Sequence, residues 1–157
     1  MANGTTFRPY LSRDAKDFKS LNVEWLEAYF EVEPYDELVL SNPQSEILDQ
    51  GGSIFMLLKE EKTIGTFAFL KKNVGLYELS KMAVTPKERG KGYGNMIIQF
   101  AIHYAKQHQW KSLILYSSTI LENSIYLYNK YGFKEVPIDP DINYARGNIK
   151  MELTLNA

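Results

Sequence analysis

The chain has 157 residues, of which 45% are hydrophobic, so it has enough apolar material for one globular domain, expected over residues 1–157. Its formal net charge of −1 gives no general attraction to nucleic acid or to an anionic membrane. It contains no cysteine, which excludes disulfides, thiolate metal sites and a cysteine nucleophile; without a membrane-length apolar run or a signal-peptide core, we expect a cytoplasmic protein.

The first part of the chain predicts a strand followed by two helices. The strand covers residues 6–11, and the first helix covers about 14–30, where apolar residues recur at helical spacing. The second helix falls within 36–49 and is interrupted near Pro43, because proline removes a helical hydrogen bond. The aromatic and acidic residues from Trp25 to Asp36 suit a cationic ligand beside an aromatic wall, or are simply solvated.

The middle and the end of the chain predict strands mixed with two further helices. Strands at 53–59 and 63–70 form a hairpin, and a third strand covers 77–84. A helix then ends near His108, and a strand covers 112–116. Thr119-x-x-Glu122 is a capping box that predicts a helix closed by Gly132, and strands at 133–136 and 149–155 complete a mixed sheet in an α/β protein.

The most informative stretch joins the third of these strands to the following helix, and it reads Val84-Thr85-Pro86-Lys87-Glu88-Arg89-Gly90-Lys91-Gly92-Tyr93-Gly94. Pro86 ends the strand, and the glycines let the backbone approach a ligand. The first amides of a helix lack internal partners and attract anions. The stretch therefore predicts a phosphate or pyrophosphate site; the alternative is a solvated basic turn. Its glycine spacing fits neither a Walker loop nor a dinucleotide fingerprint.

Two motifs resemble the GNAT superfamily of N-acetyltransferases. Arg89-x-x-Gly92-x-Gly94 after a strand resembles its acyl-CoA loop, and Leu127-Tyr128-Asn129-Lys130-Tyr131-Gly132-Phe133 resembles its L-Y-x-K-x-G-F signature. The similarity extends to the stretch 144–153 and so covers nearly the whole chain. It implies a GNAT-like acyl-CoA N-acyltransferase fold, which is a mixed, mostly antiparallel sheet flanked by helices. In that fold the fourth and fifth strands part, here near Met82 and Tyr116.

The resemblance also implies acetyl-CoA as co-substrate. Its contacts are predicted at Met82, Ala83, Val84, Arg89, Gly90, Lys91, Gly92, Tyr93, Gly94 and Asn123. Asn123 departs from the family pattern, because it precedes Tyr128 by five residues rather than the commoner seven. Ser117, Ser118 and Thr119 are alternatives for its contact with pantetheine.

Two residues are candidates for catalysis. Tyr128 matches the tyrosine that serves the departing thiolate in many relatives, and proton transfer from an ordinary phenol to a thiolate is uphill by roughly 2 kcal/mol. Glu78 resembles a glutamate used as a base in some relatives; neutralising a lysine-like amine at pH 7 costs about 4.6 kcal/mol. A structural Glu78 paired with Lys81 or Arg146 is an equal alternative. Strand alternation groups Glu78 with Ser80, Met82 and Val84 unless a bulge intervenes.

The predicted function is transfer of an acetyl group to a primary amine by direct attack in a ternary complex. The acceptor is a small molecule or peptide, with polyamines, amino sugars, amino acids and protein N-termini all open, and a homodimer is open as well. We expect no metal, nucleic acid or membrane partner. The alternatives are a non-catalytic CoA-binding sensor or subunit and, from the 13% aromatic content, a single-strand RNA binder.

Overall fold

A computed structural model describes residues 4–140 and 146–155; Tyr144 and Ala145 of the closing motif lie outside the described residues. Its centre is a seven-stranded sheet in the order β1-β2-β3-β4-β5-β7-β6. The strands span Thr5–Pro9 (β1), Ser53–Lys59 (β2), Lys62–Asn73 (β3), Leu76–Val84 (β4), Ser112–Ser117 (β5), Lys134–Val136 (β6) and Ile149–Thr154 (β7). Neighbouring strands pair antiparallel except β4 and β5, which are parallel. The predicted mixed, mostly antiparallel sheet is confirmed.

Helices cover both faces of the sheet. They span Ala15–Tyr29 (α1), Pro34–Ser41 (α2), Tyr93–Gln107 (α3) and Glu122–Lys130 (α4), with a π-helical turn at Gln44–Leu48. Because the apolar stripes of α1 and α3 face opposite sides of the sheet, there are two cores. One contains the α3 residues Ile97 and Ile98 with Phe67 and Leu113. The other contains Phe18 of α1, with Val39 and Leu40 of α2.

The ends of α4 differ in how well the sequence predicts them. Gly132 adopts φ +96° after the helix, where its amide donates to Asn129 and the amide of Phe133 donates to Tyr128. This is the glycine-dependent helix ending that the sequence predicts. The predicted capping box is wrong: Leu121 precedes the helix without a side-chain cap. Thr119 instead exchanges hydrogen bonds with Asn148.

The parallel pairing of β4 with β5 is short. It joins Leu76 to Ser112, Tyr77 to Leu113 and Glu78 to Ile114, although β4 continues to Val84 and β5 to Ser117. The two strands therefore part, as predicted, and the divergence follows Glu78 rather than Met82. Among the described residues, no strand pairs with the facing edges of the diverging segments, so their backbone groups are available to other partners.

A bulge in β4 changes which side chains share a face. The β3–β4 register shifts between Thr66 and Ala68, and opposite this shift Lys81 has φ +55°. Before the bulge Leu79 packs in the α3 core, and after it Met82 packs against that same core. Simple alternation would have put Met82 with Glu78, so the bulge reverses the face of the strand.

Candidate active site

A cavity of about 310 Å³ opens where β4 and β5 part. Its walls come from α1, the diverging strands, the β4–α3 loop and α4. The residues predicted from sequence that line it are Glu78, Met82, Ala83, Val84, Arg89, Gly90, Gly92, Tyr93, Gly94 and Tyr128. The structure thus gathers both catalytic candidates and most of the cofactor candidates around one space.

Two of the predicted cofactor residues do not line this cavity. Asn123 is exposed at the second position of α4, and Ser124 lines the cavity in its place, with Ser117 and Ser118. Lys91 is exposed, and its Nζ lies 3.4 Å from Glu88. The departure of Asn123 from the family spacing is therefore matched by its position outside the cavity.

The loop before α3 is open to a ligand. Gly92 has φ +88°, and a Cβ built at Gly90, Gly92 or Gly94 meets nothing within 4 Å. The amide of Met96 donates to the Gly92 carbonyl and starts the helix, so the amides before it point outward without helical partners. This geometry leaves room for a phosphate group against bare backbone N–H groups.

Arg89 holds a buried donor beside this loop. Its Nε donates to the Val84 carbonyl at 2.9 Å, and its guanidinium lies 5.7 Å from the Tyr29 ring centroid. Its Nη2 is buried and, within the described residues, has no hydrogen-bond partner. A buried guanidinium nitrogen without an acceptor is unfavourable, so the site is suited to an anionic oxygen such as those of the CoA pyrophosphate.

Glu78 is buried at the point where the strands part. Its side chain is 5% exposed, and its Oε1 lies 3.7 Å from Lys72 Nζ. Burial raises the pKa of Glu78 above its usual value, although the nearby ammonium groups of Lys72 and Lys81 oppose the rise. A raised pKa makes a carboxylate a better base near neutral pH. The structural alternative for Glu78 was an ion pair with Lys81 or Arg146; in the structure, the ion pair of Glu78 is with Lys72.

Tyr128 reaches the same cavity from α4. Its ring packs edge-on against Phe133, with centroids 6.0 Å apart, and burial raises the pKa of its phenol to about 12. Complete proton transfer to a thiolate with a conjugate acid near 8.5 is then uphill by about 5 kcal/mol. The hydroxyl is therefore better suited to donate a hydrogen bond to a departing thiolate than to release its proton.

The comparisons with known proteins agree with this geometry. A model of the acetyltransferase (GNAT) family matches residues 16–133, three quarters of the chain. The chain belongs to this family. It is 27% identical over 112 residues to the uncharacterized N-acetyltransferase YvbK of Bacillus subtilis (strain 168), which covers 69% of this chain and 72% of that protein.

Solved structures of low sequence identity share the GNAT fold. An acetyltransferase of the GNAT family from Staphylococcus aureus Mu50 matches with a TM-score of 0.84 at 16% identity, over 97% of this chain and 99% of that one. Spermidine N-acetyltransferase from Vibrio cholerae, in complex with CoA and spermine, matches with a TM-score of 0.72 at 20% identity, over 97% of this chain and 96% of that one. This GNAT protein is an acyl-CoA-dependent N-acetyltransferase.

The wall of the cavity beside α2 carries a buried charge network. Arg146 donates to Asp36 at 2.8 and 2.9 Å and to Glu33 at 2.9 Å. Lys81 Nζ lies 3.8 Å from Asp36 and 5.7 Å from the Tyr35 ring centroid. Glu33 and Asp36, which the sequence offered for a cationic acceptor, are therefore already paired with cations of the protein.

Sequence reasoning did not assign Lys81 or Arg146 to this cavity. Both line the cavity. No sequence signal marks the bulge that turns Lys81 toward α2, and Arg146 is 110 residues from Asp36. The closing motif around Arg146 resembles the family, but it does not indicate that Arg146 pairs with Asp36.

No metal ligand set is formed by this acetyltransferase within residues 4–140 and 146–155, where His, Asp and Glu side chains never gather in threes around a common point. The helices in the same ranges are all too short or too polar to span a bilayer.

Proposed function

We propose that this enzyme transfers the acetyl group of acetyl-CoA to a primary amine of a small molecule or peptide by direct attack in a ternary complex. The observation that carries the proposal is the buried Arg89 Nη2 without a partner, beside glycines that leave space for a ligand. A pyrophosphate would supply the missing acceptor oxygens. Acetyl-CoA, when bound, supplies a thioester that is open to nucleophilic attack.

The protein's own residues would divide the work. Arg89 and the outward amides of Gly90, Gly92 and Gly94 hold the pyrophosphate, and the open edge of β4 over Met82, Ala83 and Val84 pairs with the pantetheine amides. Ser117, Ser118 and Ser124 line the opposite side. In this arrangement the thioester would lie in the cavity that Glu78 and Tyr128 also line.

Glu78 is the proposed general base. Its buried carboxylate lies near Lys72 and Lys81 and lines the cavity, so it could accept a proton from an amine bound there. Lys72, which is 39% exposed at its side chain, connects it to solvent. Tyr128 is proposed to stabilise the departing thiolate by donating a hydrogen bond, because its raised pKa disfavours complete proton transfer.

The test is a CoA-release assay with a thiol-reactive dye. The chain has no cysteine, so every thiol detected comes from CoA. The panel contains polyamines, amino sugars, amino acids and peptides with free N-termini, and calorimetry with acetyl-CoA is run in parallel. We expect acetyl-CoA binding and release of CoA with at least one amine class. Failure to bind acetyl-CoA would overturn the proposal.

A further inference from the structure

Lys81 places an amine of the protein inside its own acceptor site. It immediately precedes Met82, the first of the residues proposed to lie along pantetheine, and it lines the same cavity as Tyr128. Its side chain is 5% exposed. Its Nζ lies among the groups that an acceptor amine would require, since Asp36 is 3.8 Å away, the Tyr35 ring is at 5.7 Å, and the candidate base Glu78 interacts with it.

Lys81 lies farther from Asp36 than Arg146 does. Both Asp36 oxygens already accept hydrogen bonds from Arg146 at 2.8 and 2.9 Å, whereas Lys81 stands at 3.8 Å. The lysine also has φ +55°, a left-handed conformation that is unfavourable for a side chain of this kind. Strained positions of this sort cluster at functional sites.

The surroundings also make this amine a better nucleophile than an ordinary lysine. Burial lowers the pKa of Lys81 to about 8, although Asp36 and Glu78 oppose the decrease, while Arg146 adds to it. At pH 7 about 10% of such an amine is neutral, compared with about 0.04% of an unperturbed lysine. Only the neutral amine can attack a thioester.

We propose that Lys81 is an acetylation site of the enzyme itself, modified by acetyl-CoA bound in the same cavity when no acceptor is present. The Nζ lone pair forms a C–N bond with the thioester carbonyl carbon, and the C–S bond breaks with its electron pair going to sulfur. The nitrogen loses one proton and the sulfur gains one, so the products are N-acetyl-Lys81 and CoA. This inference rests on the proposed function.

The test is mass spectrometry of the purified enzyme after incubation with acetyl-CoA alone. We expect one acetyl group per chain, mapped to the peptide that contains Lys81, at a rate that saturates with acetyl-CoA and is suppressed by excess CoA. The exposed Lys71 is the internal reference for uncatalysed acetylation. The Lys81→Arg variant keeps the positive charge and should lose the modification.

Each outcome bears on the inference. An enzyme that binds acetyl-CoA by calorimetry but leaves Lys81 unmodified overturns the inference alone, as does modification of Lys81 no faster than Lys71 and insensitive to CoA. Absence of acetyl-CoA binding overturns the proposed function and this inference with it. Faster modification of Lys81 in wild type than in a variant with weakened cofactor binding supports it.

Discussion

Arg146 and Asp36 form a two-pronged ion pair, with Nη1 and Nη2 at 2.8 and 2.9 Å from the two carboxylate oxygens. The pair joins α2 to the segment before β7, which are far apart in sequence. Asp36 is 1% exposed. Burial alone would raise its pKa, but hydrogen bonds from Arg146 and the Glu33 backbone, together with the charges of Arg146 and Lys81, outweigh burial and lower the pKa below its usual value. The pair therefore holds this wall of the cavity in its charged form.

Replacement of Arg146 by methionine should destabilise the protein by about 3–5 kcal/mol, because it leaves a buried carboxylate without its main partner. Chemical denaturation measures the loss. Lys19→Met, which breaks an exposed pair with Glu37, is the control and should have little effect. The double variant Asp36→Asn with Arg146→Met should be more stable than Arg146→Met alone. Equal losses in Arg146→Met and Lys19→Met would contradict this account.

The same pair predicts how stability depends on pH. Because the folded-state pKa of Asp36 is lowered, its stabilising contribution is complete above the unfolded value of about 3.9 and is lost as the pH falls through the folded-state value. Asp36→Asn should make stability depend less on pH between about pH 5 and pH 2, the range over which the carboxylate titrates. Denaturation curves at a series of pH values measure it, and an unchanged slope would contradict the assignment.

Substitutions in the glycine loop should separate ligand binding from folding. Gly94→Val adds a side chain in the open space beside the loop, where the phosphate is proposed to bind, so acetyl-CoA affinity should be lost. Stability should not change, because valine is no worse than glycine within a helix such as α3. Gly92→Val should lose affinity too, and its left-handed φ of +88° adds a penalty of about 1–2 kcal/mol. Calorimetry and melting curves measure both. Undiminished affinity in a folded Gly94→Val protein would refute the phosphate-loop assignment.

Lys72 should tune the base. Its ammonium favours the charged form of Glu78 at 3.7 Å, so Lys72→Met should raise the pKa of Glu78 further. The rate depends on the deprotonated base, and the acid limb of the kcat/KM profile should therefore move to higher pH. Lys72→Arg should restore it, and Lys71→Met, an exposed neighbour, should leave it in place. A profile unchanged in Lys72→Met would exclude Glu78 as the titrating base.

Tyr128→Phe should lower turnover by about 10- to 1000-fold, mainly in kcat, because the lost hydroxyl acts chiefly in the transition state. Ring packing against Phe133 is retained, so the melting temperature should change little. Tyr126→Phe is the matched control, since Tyr126 lies on the same helix and is 71% exposed. Steady-state kinetics on the best amine of the panel measures the effect. Wild-type turnover by the Tyr128→Phe enzyme would remove Tyr128 from the mechanism.

Local patterns in the sequence predicted most of the fold. The helix over Tyr93–Gln107 and the hairpin of β2 and β3 follow from spacing and turn residues that act within a few positions. The capping box at Thr119 failed because a partner distant in sequence, Asn148, engages its hydroxyl and amide. Competition of this kind is invisible in a single sequence.

The candidate site was predictable only where a motif is continuous. The glycine loop and Tyr128 come from contiguous stretches, and the structure brings them to one cavity. The faces on which Glu78 and Lys81 lie depend on the β4 bulge, at which Lys81 has a left-handed backbone conformation. A glycine or asparagine usually occupies such a position and would have indicated the bulge in the sequence. Arg146 depends on long-range packing that residue types do not specify.

The short pairing between β4 and β5 joins the two parts of the sheet, β1–β4 and β5–β7, at few backbone positions, although one core that includes Phe67 and Leu113 packs against both parts. A ligand that contacts both strands would form a further connection between these two parts of the sheet. Without a ligand, the amides along the gap are open to hydrogen exchange. With a ligand bound, the protein would unfold at higher temperature, since a ligand that binds only the folded state stabilises it. A cofactor bound in this opening, as proposed, would therefore add to the stability of the sheet as well as take part in the reaction.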